Sequence, residues 1–301
     1  MPTRTDAPLC AGVELGGTKC ICVLGTGPED IRAEVRVETR APAGTLAALA
    51  RTVSQWCAGH PVRALGIASF GPADLDPRSA HYGSLVGTPK PGWDAIPIVA
   101  AFRPLGIPIG FDTDVNAAAL AEGQWGGARG LDAFAYVTVG TGIGAGSVVG
   151  GHSLRGLSHG EAGHMRIARL AGDTWPGSCP FHGDCAEGLA SGPAIQARTG
   201  MPAATLPAEH PAWDAVAHAL GGLFHNLVLA TVPERILVGG GVVAHQPQLL
   251  PRVRTALVRS LNGYAHGARI ARAPEQFLCP PQLGERAGSL GAIALAQRTL
   301  R

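Results

Sequence analysis

The chain has 301 residues, of which 46% are hydrophobic and 15% charged, and its formal net charge is +2. Its length predicts roughly two domains or lobes, and its apolar content excludes a disordered chain. The near-neutral charge, without a basic run, argues against nucleic-acid binding. The sequence shows no apolar core of a signal peptide and no run that could span a bilayer. We therefore expect a cytoplasmic protein without membrane contact.

The first part of the chain predicts a β-hairpin followed by alternating strands and helices. Apolar runs on either side of Gly16-Gly17 indicate the hairpin, because a glycine pair suits a tight turn. The connection at 69–93 is rich in Gly and Pro, and its length in a compact domain predicts a functional loop. The predicted elements are strands 9–15, 19–24, 31–39, 62–68 and 107–111, and helices 46–57 and 114–125.

The second part repeats this order. A second hairpin surrounds Gly140-Thr141-Gly142, and a long apolar helix, a strand and further helices follow. Two βββαβα-like halves predict an internally duplicated α/β protein with a cleft between its lobes. The predicted elements are strands 133–139, 143–149 and 235–238, and helices 213–231, 247–261 and 284–301.

Both hairpin turns combine glycine with threonine. The first reads Gly16-Gly17-Thr18-Lys19 and the second Gly140-Thr141-Gly142. Neither matches a P-loop, and each alone could be only a hairpin turn. As a pair they predict phosphate binding, because such turns present backbone N–H groups and a hydroxyl to an anion. Lys19 stands beside the first turn, and the only other lysine of this Arg-rich chain is Lys90.

A polar segment, Asp112-Thr113-Asp114-Val115-Asn116, links a predicted strand to a predicted helix. Thr113 or Asp114 could serve as the helix N-cap, but capping requires only one of them. Open α/β sheets bind ligands at the carboxyl ends of their strands. The segment therefore predicts ligand-binding groups as well as a cap.

Four residues have the type and spacing of zinc ligands: His164, Cys179, His182 and Cys185. The two cysteines could instead be buried thiols or a disulfide. A reducing cytoplasm favours a metal site over a disulfide. Two carboxylates, Glu161 and Glu187, flank the cluster, so the metal is expected to shape a substrate pocket.

Taken together, these motifs resemble the ROK family of sugar kinases over nearly the whole chain. The segments that carry the resemblance are Gly12–Lys19, Asp112–Asn116, Val139–Gly144, Glu161–His164, Cys179–Glu187 and Gly239–Gly241. The chain resembles the fructokinase branch of that family in particular. The residues that carry this closer resemblance are Glu14, Thr113, Ser69–Pro72, Asp74–Pro77, Tyr82-Gly83 and Thr88–Trp93.

The resemblance implies a duplicated actin-like, ribonuclease H-like fold of the hexokinase type, a two-lobed ATPase with an interlobe cleft. It implies a small lobe at 1–116, joined by the C-terminal helix 287–301, and a large lobe at 117–286 with a zinc-binding insert at 161–187. It also implies a homodimer, with ATP and a hexose as partners.

The resemblance also assigns roles. Asp114 is the implied general base for phosphorylation of a hexose. The favoured reaction converts D-fructose to fructose 6-phosphate. Mg²⁺ accompanies ATP, and a structural Zn²⁺ is held by the four Cys and His residues. The implied sugar-binding residues are Asn116, Glu161, His164, Glu187, Thr113, Gly71 and Pro72. The implied ATP and Mg²⁺ residues are Glu14, Gly16, Gly17, Thr18, Lys19, Gly140, Thr141, Gly142, Gly239, Gly240, Gly241, Gly284 and Gly288.

Some alternatives remain open at this stage. Gly160 and Ala162 depart from the family pattern around the acid–His motif, which usually has a preceding Pro and a bulkier apolar residue. Kinases for mannose, glucose or an N-acetylated hexosamine are the nearest alternatives, since small pocket changes shift such preferences by only about 1–3 kcal/mol. An alternative of another class is a non-catalytic sugar sensor or regulator, although the sequence lacks a helix-turn-helix pattern.

Overall fold

The computed structural model describes residues 7–301 and contains two mixed β-sheets with helices. The strands are β1 (Cys10–Leu15), β2 (Lys19–Gly27), β3 (Asp30–Glu38), β4 (Leu65–Ser69), β5 (Ile109–Thr113), β6 (Ala133–Val139), β7 (Ile143–Val149), β8 (His152–Ser153), β9 (Arg235–Gly239) and β10 (Leu278–Cys279). The helices are α1 (Pro42–Gly59), α2 (Asp114–Trp125), α3 (Ala186–Ala190), α4 (Gly192–Thr199), α5 (Ala212–Thr231), α6 (Gly241–His245), α7 (Leu249–Leu261), α8 (Gly267–Arg272), α9 (Pro274–Phe277) and α10 (Ala287–Arg298).

The described chain forms two compact units. The first contains the described residues up to Arg129, together with 151–159 and 285–301, and the second contains 130–150 and 160–284. The lobe limits implied by the family resemblance, 1–116 and 117–286, stay a prediction. Within 7–301, none of the helices has the length and apolar character needed to cross a membrane.

The sheets of the two units share one topology, which is the structural form of the predicted duplication. The first sheet has the order β3-β2-β1-β4-β5. In it, β1 is antiparallel to β2 and parallel to β4, and β4 is parallel to β5. In the second unit, the order β7-β6-β9-β10 repeats these directions strand for strand.

The register of the first sheet aligns the ends of three parallel strands. Glu14 on β1 pairs with Ala68 on β4, which pairs with Asp112 on β5. The carboxyl ends of these strands therefore meet at one edge, where open α/β sheets bind ligands. The first glycine turn and the start of α2 both follow directly from this edge.

Small residues allow α10 to pack closely on the first sheet and on α2. A Cβ at Gly66 of β4 would clash with the backbone of Ala292, and one at Gly291 would clash with the backbone of Ala117. This close packing fixes α2, whose first residue is Asp114. The apolar core of the first unit lies mainly on the opposite face of the sheet, around α1.

The long predicted elements agree with the structure, and the differences lie at their ends and in short helices. The predicted closing helix at 284–301 consists of a 3₁₀ turn, Gly284–Arg286, followed by α10. Helix α1 begins at Pro42, earlier than apolar spacing alone indicated, because proline suits the first helical turn. Five short helices, α3, α4, α6, α8 and α9, and the two-residue strands β8 and β10 were not predicted, since fewer than nine residues give too few repeats for periodicity to detect.

Candidate active site and metal centre

Glu14 is a carboxylate with unusual surroundings at the carboxyl edge of the first sheet. Its Oε2 atom is buried and has no hydrogen-bond partner among the described residues. Burial, reinforced by the negative charge of Asp114, raises the pKa of Glu14 to about 7, although Lys19 opposes the shift. A buried carboxylate without a donor is incomplete without a cation, so this position fits a Mg²⁺ ligand.

The polar segment after β5 forms the N-terminus of α2. Thr113 is the N-cap: its Oγ1 accepts the backbone N–H of Asn116 at 3.2 Å, and its residue is 2% exposed. Asp114 is half-buried in the first turn, where its Oδ1 accepts the backbone N–H of Val115 at 2.8 Å. A carboxylate in this position is stabilised by the helix dipole and held in one orientation.

Asp112 accepts hydrogen bonds from three groups around this turn. Its Oδ1 accepts the backbone N–H of Thr113 at 2.8 Å and the Nδ2 of Asn116 at 2.6 Å. Its Oδ2 accepts the hydroxyl of Ser153 at 2.8 Å. Since the Asn116 amide nitrogen donates to Asp112, its carbonyl oxygen is the group left to accept from a ligand. The sequence offered no signal for Ser153, which is 41 positions away in the chain.

The first glycine turn is held by side chains from two other segments. Gly16 donates its N–H to the carbonyl of Lys19 at 3.1 Å, and Thr39 donates its hydroxyl to the Gly16 carbonyl at 2.8 Å. Lys90 donates from Nζ to the carbonyl of Gly17 at 2.5 Å. Thr18 and Lys19 are exposed in the same turn. The turn therefore has a fixed backbone and two lysines beside it.

The predicted sugar-binding pair Gly71-Pro72 lies just after β4 and has a cis peptide bond. The next residue, Ala73, donates its backbone N–H to Nε2 of His159 at 3.0 Å, and His159 is buried. His159 therefore anchors the loop that carries Gly71 and Pro72. Sequence alone does not indicate this role of His159, because a lone histidine carries no signal of a backbone contact 86 positions away.

The second glycine turn, in the second unit, is tied to Glu187. Gly140 donates its N–H to the carbonyl of Gly142 at 2.9 Å, and Ile143 donates its N–H to Glu187 Oε2 at 2.8 Å. A Cβ at Gly142 would lie 2.7 Å from that same oxygen. The Thr141 side chain is exposed at the tip. One carboxylate oxygen therefore fixes the end of the turn.

The four predicted metal ligands come together as the sequence indicated. Their ligand atoms all lie within 4.8 Å of one another. The Nδ1 atoms of His164 and His182 are 3.3 Å apart, each cysteine Sγ is 3.6 Å from His164 Nδ1, and Cys179 Sγ is 3.7 Å from His182 Nδ1. Tetrahedral zinc, with bonds of about 2.05 Å to nitrogen and about 2.3 Å to sulfur, gives edges of about 3.3 Å between nitrogens and about 3.6 Å from nitrogen to sulfur. The residues therefore fit a four-ligand zinc site.

The Cys and His cluster includes one predicted sugar ligand, His164, and lies beside another, Glu187. His164 uses Nδ1 in the cluster, and its Nε2 lies 3.9 Å from Glu187 Oε1. A Cβ at Gly163 would clash with the Ile143 carbonyl, so the turn before His164 packs directly on β7. Glu161 precedes that turn and is exposed. His164 thus keeps one ring nitrogen for the cluster and turns the other toward a carboxylate.

The glycines that the family resemblance assigns to the adenosine side of ATP lie in three separate parts of the structure. Gly240 follows β9 with φ +94° and has no room for a Cβ, because Val139 backbone atoms fill that space. Gly239 precedes it, and Gly241 begins α6. A side chain at Gly288 in the first unit would collide with the Glu14 carboxylate. Gly284 has φ +57° and no neighbour within 4 Å of a Cβ among the described residues.

Solved structures of known proteins share this fold. A ROK hexokinase from Thermus thermophilus superposes with a TM-score of 0.78 and 29% identity, covering 97% of this chain and 99% of that one. A ROK family glucokinase from Streptomyces griseus, solved with glucose and AMPPNP, superposes with a TM-score of 0.75. It is 26% identical, and the match covers 96% of this chain and 99% of its own. The fold is therefore that of the two-domain α/β sugar kinases, as predicted.

The family model described as "ROK family" matches residues 10–299, and the chain belongs to that family. A putative fructokinase from Bacillus subtilis is 40% identical over 97% of both chains. A fructokinase from Zymomonas mobilis is 39% identical over 97% of this chain and 98% of its own, and one from Pediococcus pentosaceus is 36% identical over 97% and 99%. The family resemblance read from the sequence is thus confirmed.

Proposed function

We propose that the protein is a kinase that transfers the γ-phosphoryl group of ATP to a hexose, with D-fructose as substrate and fructose 6-phosphate as product. The fructokinase names of relatives at 36–40% identity support this substrate. The observation that carries the chemistry is the half-buried Asp114 at the carboxyl edge that also holds Glu14. A base and a cation ligand at one ligand-binding edge suit phosphoryl transfer.

In the proposed reaction, Asp114 accepts the proton of the attacking sugar hydroxyl. The hydroxyl oxygen forms a bond to the γ-phosphorus, the bond to the β–γ bridging oxygen breaks, and ADP leaves with that electron pair. Val115 N–H and the helix start hold the Asp114 carboxylate in place during this step. Positioned base catalysis of this kind contributes roughly 10²–10⁴ in rate.

The proposed sugar ligands come from several segments of the chain. Asn116 offers its carbonyl oxygen, since its amide nitrogen already donates to Asp112. The other proposed ligands are Gly71, Pro72, Glu161, His164 through Nε2, and Glu187. Carboxylates suit sugars because each can accept hydrogen bonds from two hydroxyls. Thr113 was also implied as a sugar ligand. We propose that it acts mainly by capping α2, because its hydroxyl accepts the Asn116 N–H and only 2% of the residue is exposed.

The proposed nucleotide ligands are the two glycine turns, with Glu14 for Mg²⁺. Mg²⁺ bound with ATP neutralises charge on the β- and γ-phosphate oxygens. Glu14 suits this ion because its buried oxygen has no donor among the described residues. The remaining proposed contacts are Gly16, Gly17, Thr18 and Lys19 in the first turn, Gly140, Thr141 and Gly142 in the second, and Gly239, Gly240, Gly241, Gly284 and Gly288 near the adenosine.

The Cys and His cluster is proposed to hold a structural Zn²⁺. Four protein ligands leave no open coordination position, so the metal would not take part in the reaction. Its effect is on His164, because a metal on Nδ1 fixes the tautomer and orientation of Nε2. A homodimer and a cytoplasmic setting, where ATP is available and thiols stay reduced, belong to the same proposal.

A coupled assay of ADP release with ATP and a panel of hexoses tests this function. We expect fructose to give the highest kcat/KM, followed by mannose and glucose. A preference for glucose or an N-acetylated hexosamine would show that the protein is a kinase for a hexose other than fructose. Sugar binding without turnover of any hexose would instead indicate a sensor.

A further inference from the structure

Lys90 is a candidate functional residue that lies directly on the first glycine turn. Its ammonium donates to the carbonyl of Gly17 at 2.5 Å and lies 5.7 Å from the centroid of the Phe70 ring. Phe70 immediately precedes Gly71-Pro72, the pair proposed to contact the sugar. The half-buried Lys90 therefore bridges the proposed phosphate turn and the proposed sugar loop within the first unit.

The backbone around Lys90 is held in place. Trp93 donates its N–H to the Lys90 carbonyl at 3.1 Å, and its indole Nε1 donates to the Arg40 carbonyl at 3.1 Å. The Trp93 residue is only 1% exposed and packs edge-on against the Phe70 ring, with centroids 5.4 Å apart. Gly87 donates its N–H to Asp94 Oδ1 at 2.6 Å across the base of the same loop. This loop delivers a preorganised ammonium rather than a mobile surface charge.

The charge of this edge explains what such an ammonium can do. Glu14, Asp112 and Asp114 place three carboxylates at the ends of β1 and β5. A transferring phosphoryl group brings further negative charge to the same place, so its approach requires compensating cations. The chain has only two lysines: Lys19 directly follows the first glycine turn, and Lys90 donates to the Gly17 carbonyl of that turn. An ammonium has three donor hydrogens, of which Gly17 takes one.

We propose that Lys90 binds the phosphoryl group while it is transferred, and then the phosphate ester of the product, from its anchor on Gly17. This inference rests on the proposed kinase function and adds a residue to it. The competing view is that Lys90 only pins the turn. The two views differ in whether Lys90 senses a bound phosphate.

The first test observes Lys90 directly. Protein labelled with ¹³C at lysine Cε should give two lysine signals, which Lys19→Arg and Lys90→Arg variants assign. Addition of fructose 6-phosphate should shift the Lys90 signal, whereas fructose alone should not. A Lys90 signal that stays in place at saturating fructose 6-phosphate, or that moves equally with fructose, would overturn the proposal.

The second test is kinetic. Lys90→Met removes the charge but keeps an unbranched apolar side chain, and we expect kcat to fall roughly 10²–10³-fold, as for loss of a donor to a transition-state charge. The KM for fructose should stay within about twofold, because uniform sugar binding is untouched. Lys90→Arg should recover part of the loss by restoring the charge. A Lys90→Met variant with nearly full kcat would refute the role.

A matched control separates local from general charge effects. Arg36→Met removes the same charge from exposed β3, where Arg36 pairs with Glu34 at 3.0 Å, and should leave kcat unchanged. Failure of the proposed function would be recognised separately, because the wild-type protein would then turn over no hexose. In that case a Lys90 shift with Mg²⁺ and AMPPNP would still support phosphate binding, and no shift would overturn it.

Discussion

Replacement of Glu14 by glutamine should stabilise the ligand-free protein at neutral and alkaline pH. Burial and the negative charge of Asp114 raise the pKa of Glu14 from 4.5 to about 7. The folded protein therefore holds a proton on Glu14 that the unfolded chain has already lost. As pH rises from about 4.5 to about 7, the free energy of unfolding must decrease, because the folded state has to ionise a buried carboxyl.

The size of the effect follows from these two pKa values. At about 1.4 kcal/mol per pH unit, the decrease between 4.5 and about 7 is on the order of 3 kcal/mol. Glutamine has almost the same shape but no charge, so Glu14→Gln avoids this loss. The variant should therefore melt several degrees higher than wild type above pH 7, with the difference vanishing near pH 4.5.

Thermal melting of the zinc-replete protein in Mg²⁺-free buffer between pH 4.5 and 8.5 measures this difference. Glu38→Gln is the control, since Glu38 is exposed on β3 and pairs with Arg40. Mg²⁺ with a nucleotide should stabilise wild type above pH 7 more than it stabilises Glu14→Gln, because the ion supplies the missing partner. A melting difference between Glu14→Gln and wild type that does not change with pH would refute the account of Glu14.

Four further substitutions test the other parts of the site. Asp114→Asn should abolish turnover while keeping the fold and ATP binding; more than about a tenth of wild-type kcat would show that Asp114 is not the base. Gly140→Val should raise the KM for ATP without changing sugar affinity measured in its absence, as open space surrounds that Cβ position among the described residues. Gly142→Ala should also weaken sugar binding, about tenfold, since its Cβ would lie 2.7 Å from Glu187 Oε2; equal sugar affinity in both variants would contradict this. Cys185→Ser should release the metal and affect melting temperature and sugar KM before ATP binding, because serine is a poor zinc ligand; wild-type protein that is metal-free by elemental analysis yet fully active would exclude a structural zinc.

The motifs that could be predicted are those whose residues are close in the chain. Gly16-Gly17 specifies a hairpin turn by itself. The sequence also predicted a helix cap at Thr113 or Asp114, and the structure selects Thr113. The metal cluster was also predictable, because Cys179, His182 and Cys185 lie within one short loop. Local spacing carries this information, since each feature depends on neighbouring backbone geometry.

The contacts that could not be predicted join distant segments. Lys90 reaches Gly17 across 73 positions, and Ser153 reaches Asp112 across 41. Such pairs depend on the packing of whole elements, which periodicity does not encode. Glu187 was predicted as a sugar ligand, but its bond to the backbone of Ile143 was not. That bond links the second glycine turn to the metal cluster, an arrangement visible only in the folded chain.

The most direct measurement of the central claim is ADP release by the purified protein with Mg²⁺, ATP and fructose, compared with the Asp114→Asn variant. The account predicts turnover with fructose, formation of fructose 6-phosphate, and loss of at least about 10²-fold in kcat in the variant. Absence of fructose-dependent ADP release in zinc-replete wild-type protein, with the other hexoses also inert, would contradict it.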